Sequence, residues 1–134
     1  MICAVHALIG AAVGKAAGHR LGALPLGVAT HLAADLLPHK DLDPKVEAPL
    51  LAATLAAIAL RHGIKSPEFW GAFGGFAPDF ENAAQVIGWI RPDQMVFPSH
   101  QGDYTHGRKT KTTLPQVALA ALCAAYVFWP DKRA

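Results

Sequence analysis

An all-α fold is predicted, a compact bundle of about five to six helices with a long functional loop before the last one. Three observations predict it. Alanine and leucine dominate while β-branched residues are sparse, a balance that favours helices over strands. Apolar runs are bounded by helix punctuation: Asp43-Pro44 and Ser66-Pro67 at starts, Gly63 at a stop. The stretch from Arg91 to Thr113 has prolines, glycines and polar residues but no sustained periodicity, so it reads as a loop of a length that is often functional. The 134 residues fit a single domain, 1–134, with one core.

The first helix is expected from Ile2 to about Gly18. Gly10, Gly14 and Gly18 recur every four residues and form a smooth strip for a close helix crossing, in water or in a membrane. His6 projects beside that crossing, where a buried imidazole needs a partner. His19 and Arg20 read as the end of this helix, where positive charge suits the dipole. A break over Gly22–Pro25 leads to a second helix, about Pro25 to Leu37. Asp43 reads as the N-cap of a third helix that runs to about His62, again a residue suited to a last turn. A short helix over about Pro67–Phe73 follows. Asp79, after Pro78, reads as the N-cap of a helix over about Phe80–Ile90, and a last helix covers about Pro115–Trp129. Cys3 and Cys123 lie in apolar runs and read as buried thiols, not as a disulfide or a metal pair.

Composition narrows the function. Charged residues make up only 16% and the formal net charge is +2, too small to indicate nucleic acid as a partner. The N-terminus has no basic n-region, and His6 and Lys15 interrupt its apolar run, so no cleavable signal peptide is expected. The runs Val46–Leu60 and Leu114–Trp129 are shorter than the ~20 residues that span a bilayer, and both contain proline. A membrane-associated or cytoplasmic location is expected. Basic residues flank the last run on both sides and give no orientation.

Most of the functional signal lies in the seven histidines. His31 and Asp35 stand four apart on one helix face, and Pro38 turns the chain away near His39. Two imidazoles and a carboxylate at a helix end suit a borderline cation such as zinc. The loop adds His100 and His106, with Asp103 between them. Together, His6, His31, Asp35, His39, Asp79, His100 and His106 form a ligand set large enough for one or two divalent metal ions. Asp35 and Asp79 are also the candidates for a catalytic carboxylate. Arg108, Lys109 and Lys111 follow the histidine loop and suit a phosphate or an anionic headgroup. No CxxC or HExxH signature is present, so neither a classical zinc finger nor a zincin protease is indicated.

The early His6 with glycines after it, the HxxxD-x-x-PH segment at 31–39, Gly-Gly-Phe-Ala-Pro-Asp79 and His100…Thr105-His106 resemble a family. It is the group of small all-helical, membrane-associated metal-dependent hydrolases. A fainter similarity links the His31/Asp35 pair to zinc-dependent phospholipase C and the S1/P1 nucleases. Gln101 after His100, and Gly107 where that group has serine, depart from its loop pattern. The resemblance implies a divalent cofactor, zinc above all, a metal-activated water, and a small-molecule or lipid phosphoester substrate met in solution or at a membrane surface. Two other readings stand beside it. One is a non-catalytic helical membrane-associated or interaction protein with incidental histidines. The other is a structural metal-binding protein without turnover.

Overall fold

The structure is a computed structural model and describes residues 1–100 and 109–130. It is an all-helical bundle. The described residues form six α-helices: α1 (Cys3–Ala17), α2 (Arg20–Asp35), α3 (Pro44–His62), α4 (Pro67–Phe76), α5 (Asp79–Val86) and α6 (Leu114–Phe128). Two single 3-10 turns, Pro92–Gln94 and Pro98–His100, punctuate the long connection before α6. The one strand-like feature among the described residues is an isolated bridge between His39 and Lys109.

Several boundaries fall where cap chemistry puts them. The Asp43 side chain accepts from Lys45 N (2.8 Å) and opens α3, and Ser66 Oγ accepts from Phe69 N (3.1 Å) and opens α4. Two expectations are corrected. The break after α1 comes at Gly18, which takes the left-handed φ of 72°, and not at Gly22–Pro25. His19 is therefore the N-cap of α2, its Nδ1 accepting from Gly22 N (3.0 Å), and not the end of α1. Pro25 is tolerated inside α2 because the carbonyl that loses its donor belongs to Leu21, on an exposed first turn that water can reach. Asp79 is the first residue of α5 and makes no capping bond; Pro78 holds the cap position. The Asp79 carboxylate is thus left for another role. Helix α4 also continues through Gly74 and Gly75 to Phe76, past the expected end at about Phe73.

The centre of the bundle is the triple packing of α1, α2 and α4, with α3 and α6 lying outside against α1. Small residues allow it. A Cβ added at Gly71 would overlap the Gly10 carbonyl, and one added at Gly10 would overlap the Gly71 carbonyl, so the α1 and α4 backbones are in direct contact. The core is correspondingly fine-grained: Ala7, Ala11 and Ala72 pack with Ile58, Phe76 and Val127, while Ala4 and Ala34 pack with Met1, Ile2 and Val5. The last helix is tied down by polar contacts. Lys15 Nζ donates to the Tyr126, Val127 and Trp129 carbonyls at 2.9–3.1 Å, and buried Gln116 bridges Ile2 N (3.1 Å) and Lys40 O (2.8 Å). No helix among the described residues is long and apolar enough to cross a membrane.

Candidate metal centre

Close packing of α1, α2 and α4 brings their polar residues into one buried place. His6 on α1 and His31 on α2 stack with ring centroids 3.8 Å apart and planes 18° from parallel. Asp35, one turn after His31, lies beneath them, with Oδ1 3.1 Å from His6 Nε2 and Oδ2 3.2 Å from His31 Nε2. Asp79 Oδ1 at the start of α5 is 3.8 Å from His31 Nε2, and His100 Nε2 from the loop is 3.9 Å from Asp35 Oδ2. His6, His31 and Asp35 are almost wholly shielded from solvent. Five of the seven residues singled out as metal ligands therefore converge.

The direction of the ring protons is informative. His31 Nδ1 is 2.7 Å from the Gly75 carbonyl, which can only accept, so Nδ1 carries the proton. Neutral His31 then presents its Nε2 lone pair to Asp35 Oδ2 and Asp79 Oδ1, acceptor facing acceptor. Such a face needs a positive species, either a further proton or a cation. His100 Nδ1 likewise donates to Glu81 Oε2 (3.1 Å), while its Nε2 accepts from Asn82 Nδ2 (3.0 Å) and lies 3.9 Å from Asp35 Oδ2. Ring nitrogens fixed in this way by an oxygen acceptor are the usual support of metal-binding histidines. His6 Nδ1 and Nε2, His31 Nε2 and Asp79 Oδ2 are buried with no hydrogen-bond partner among the described residues. For His6 Nε2 the carboxylate is near but off the line a hydrogen bond needs.

The donor atoms form two overlapping groups, His6/His31/Asp79 and His31/Asp35/His100, with all atoms in each group within 4.8 Å of one another. Two ligands at ~2.1 Å from a tetrahedral ion stand about 3.4 Å apart, close to the separations seen here. His31 is common to both groups and offers one lone pair, so the described donors fit one ion.

Burial and charge set the protonation states. Burial outweighs the pull of Asp35 and lowers the His6 pKa to about 4, which keeps this imidazole neutral and ready to ligate at pH 7. Burial alone would raise the Asp35 pKa, but the adjoining His31 and His6 imidazoles and the Ser99 hydroxyl outweigh it and hold the carboxyl far below the usual range. Ser99 Oγ donates to Asp35 Oδ2 at 2.7 Å. Burial also lowers the His100 pKa, against the opposing bond to Glu81. The Cys3 thiol is pushed far up by burial and by the nearby Asp79 and Glu47 carboxylates; it donates to Glu47 Oε2 (2.9 Å) and is no nucleophile. Both cysteines are free, as expected, though half-buried.

His6 makes the metal-free chain sensitive to acid. Its pKa is lower folded than unfolded, so between about pH 6.5 and pH 4 the unfolded chain binds more protons and stability falls as pH falls. A loss on the order of 3 kcal/mol is expected across that window. Denaturation midpoints measured with chelator at pH 7 and pH 4 should show it, and His6→Gln should reduce the difference.

The remaining sequence candidates lie apart or outside the description. His39 is buried; its Nδ1 donates to Leu37 O (2.8 Å), and Nε2 is 3.6 Å from Asp41 Oδ1, in neither donor group. Lys109 is exposed, with its backbone beside His39. His106 and Arg108 lie outside the described residues. Sequence reasoning missed Ser99, Glu81 and Asn82. Glu81 receives Val96 N and Phe97 N (3.1 Å) as well as His100, so α5 holds the loop that delivers His100. The only available signal was the acidic-amide run Asp79-Phe80-Glu81-Asn82, which resembles an ordinary first turn of a helix.

The fold and the centre together describe an all-helical protein with a buried cluster of His and Asp donors that could hold a metal ion. No protein-family model, curated protein or solved structure matched this chain.

Proposed function

We propose that the chain is a metal-dependent hydrolase acting on phosphoesters. The supporting observation is the His31 Nε2 lone pair, locked by the Gly75 carbonyl, facing the Asp35 and Asp79 carboxylates in a buried site. One divalent ion, zinc by its mixed nitrogen and oxygen donors, would supply Lewis acidity and make a coordinated water acidic near neutral pH. His31, Asp35 and His100, one of the two donor groups, would hold the ion, with Ser99 and Glu81 orienting Asp35 and His100 and with His6 stacked alongside His31. Asp79 borders both this cluster and the adjoining cleft, and its Oδ2 has no partner among the described residues. That makes Asp79 the carboxylate available to take the proton of the attacking water, while Asp35 serves as ligand. The basic run Arg108, Lys109 and Lys111 supports a phosphoester over a neutral ester.

The test is metal content and turnover together. Purified protein should carry about one equivalent of zinc, manganese or iron, consistent with one shared donor set. It should also hydrolyse bis-4-nitrophenyl phosphate, lose that activity to a chelator, and regain it on metal addition. No bound metal, with a rate indifferent to chelator, would reject the reading. A second reading, a non-catalytic interaction or membrane-surface protein, is favoured by large apolar side chains left at the surface, Leu60 at 89% and Trp89 at 81% exposed. It predicts partition onto vesicles that is unchanged in Asp79→Asn and no turnover.

A further inference from the structure

Beside the donor cluster lies a cleft of about 550 Å³ between α3 and α5. Its volume is that of a site for a small organic ligand. Its polar groups gather at one end, where Asp35 and Asp41 meet the Met1 ammonium (3.5 and 3.2 Å) beside Asp79, and Glu47 is already engaged by Cys3 and by Leu42 N (2.8 Å). Away from that end the walls are apolar: Leu51 and Phe76 on one side, Phe80, Val86 and Ile87 on the other. Phe80, Val86 and Ile87 are more than half exposed, although they line a concave surface. Trp89, just past them, is also exposed and extends the apolar surface beyond the cleft.

A groove that is polar at the cation end and apolar for the rest of its length matches one kind of ligand. We infer that the cleft binds the hydrocarbon tail of an amphiphilic phosphoester whose phosphate is held at the His/Asp cluster. The inference rests on the hydrolase reading for the headgroup, and on the cleft alone for the tail. A second copy of the chain is the weaker occupant, because the groove runs directly into the donor cluster, where a reacting headgroup belongs and a protein surface has no role.

The test uses zinc-loaded protein and n-alkyl phosphonates from methyl to dodecyl, below their micelle concentrations, titrated by calorimetry. Full burial strengthens binding about fourfold per methylene, so hexyl phosphonate should bind more than tenfold tighter than methyl. Ala83→Trp on α5 and Ala48→Trp on α3 fill the groove from opposite walls, from positions that are themselves solvent-exposed. Each should flatten the chain-length dependence while keeping zinc stoichiometry and helical content. Affinity independent of chain length overturns the inference. So does a chain-length gain that survives in both variants, because the tail then lies elsewhere. Turnover of methyl 4-nitrophenyl phosphate separates the two readings. Chain-length-dependent binding without turnover keeps the tail site and rejects the enzyme. Turnover without chain-length dependence keeps the enzyme and rejects the tail site.

Discussion

Asp35→Asn is expected to weaken cation binding sharply and also to lower stability, because Asp35 pairs with the buried Met1 ammonium (3.5 Å). The amide keeps the shape of the carboxylate and can still accept from Ser99, but it removes the one charge that His6, His31 and Ser99 all face. Loss of a ligating carboxylate should weaken zinc binding by more than the roughly 10–100-fold that removing an outer-shell partner typically costs. Competition with a chromophoric chelator measures it. The effect should exceed that of Glu81→Gln, because Glu81 acts on His100 through the ring and touches no other donor. If Asp35→Asn binds zinc as tightly as the parent chain, the cluster is a hydrogen-bond network and not a metal centre.

Gly71→Ala is expected to have the largest effect on stability. The added methyl would lie within the space of the Gly10 carbonyl on α1, with Gly14 Cα also close. Neither is a side chain that can rotate away, so α1 and α4 must separate. Overpacking of a well-packed core costs about 1–3 kcal/mol and sometimes more, and a backbone-to-backbone contact belongs at the upper end or beyond. Thermal melts should show Gly71→Ala lowering the melting temperature although the substitution itself favours helix, which isolates the clash. Separation of α1 from α4 also moves His6 away from the Gly75 carbonyl that orients His31, so weaker zinc binding should accompany the lower melting temperature.

The helical class, the order of helices and the caps at Asp43 and Ser66 were legible because each rests on local chemistry within a few residues. Helix ends that depend on tertiary contact were not. Gly74 and Gly75 look like a turn by composition, yet they continue α4 because two other helices approach them backbone to backbone. His19 was misplaced because either side of Gly18 offers it a favourable role, and only the side-chain bond to Gly22 decides. In the site, His31 and Asp35 were readable from their spacing on one helix. His6, Asp79 and His100 were readable as residue types, but their convergence depends on the α1–α4 crossing. Asp79 resembled a cap until Pro78 proved to hold that position. Ser99 carried no signal and Glu81 only the look of an ordinary first turn, because their partners are 64 and 19 residues distant in sequence.

The fine grain of the interior has a thermodynamic consequence. Where alanine supplies much of the buried surface, unfolding uncovers less hydrocarbon per residue than it does for a leucine- and phenylalanine-filled core. The heat capacity increment of unfolding scales with that newly wetted area and typically reaches about 12–15 cal/mol/K per residue. Calorimetry of this bundle is therefore expected to give an increment below that range and a stability curve that is broad and flat with temperature.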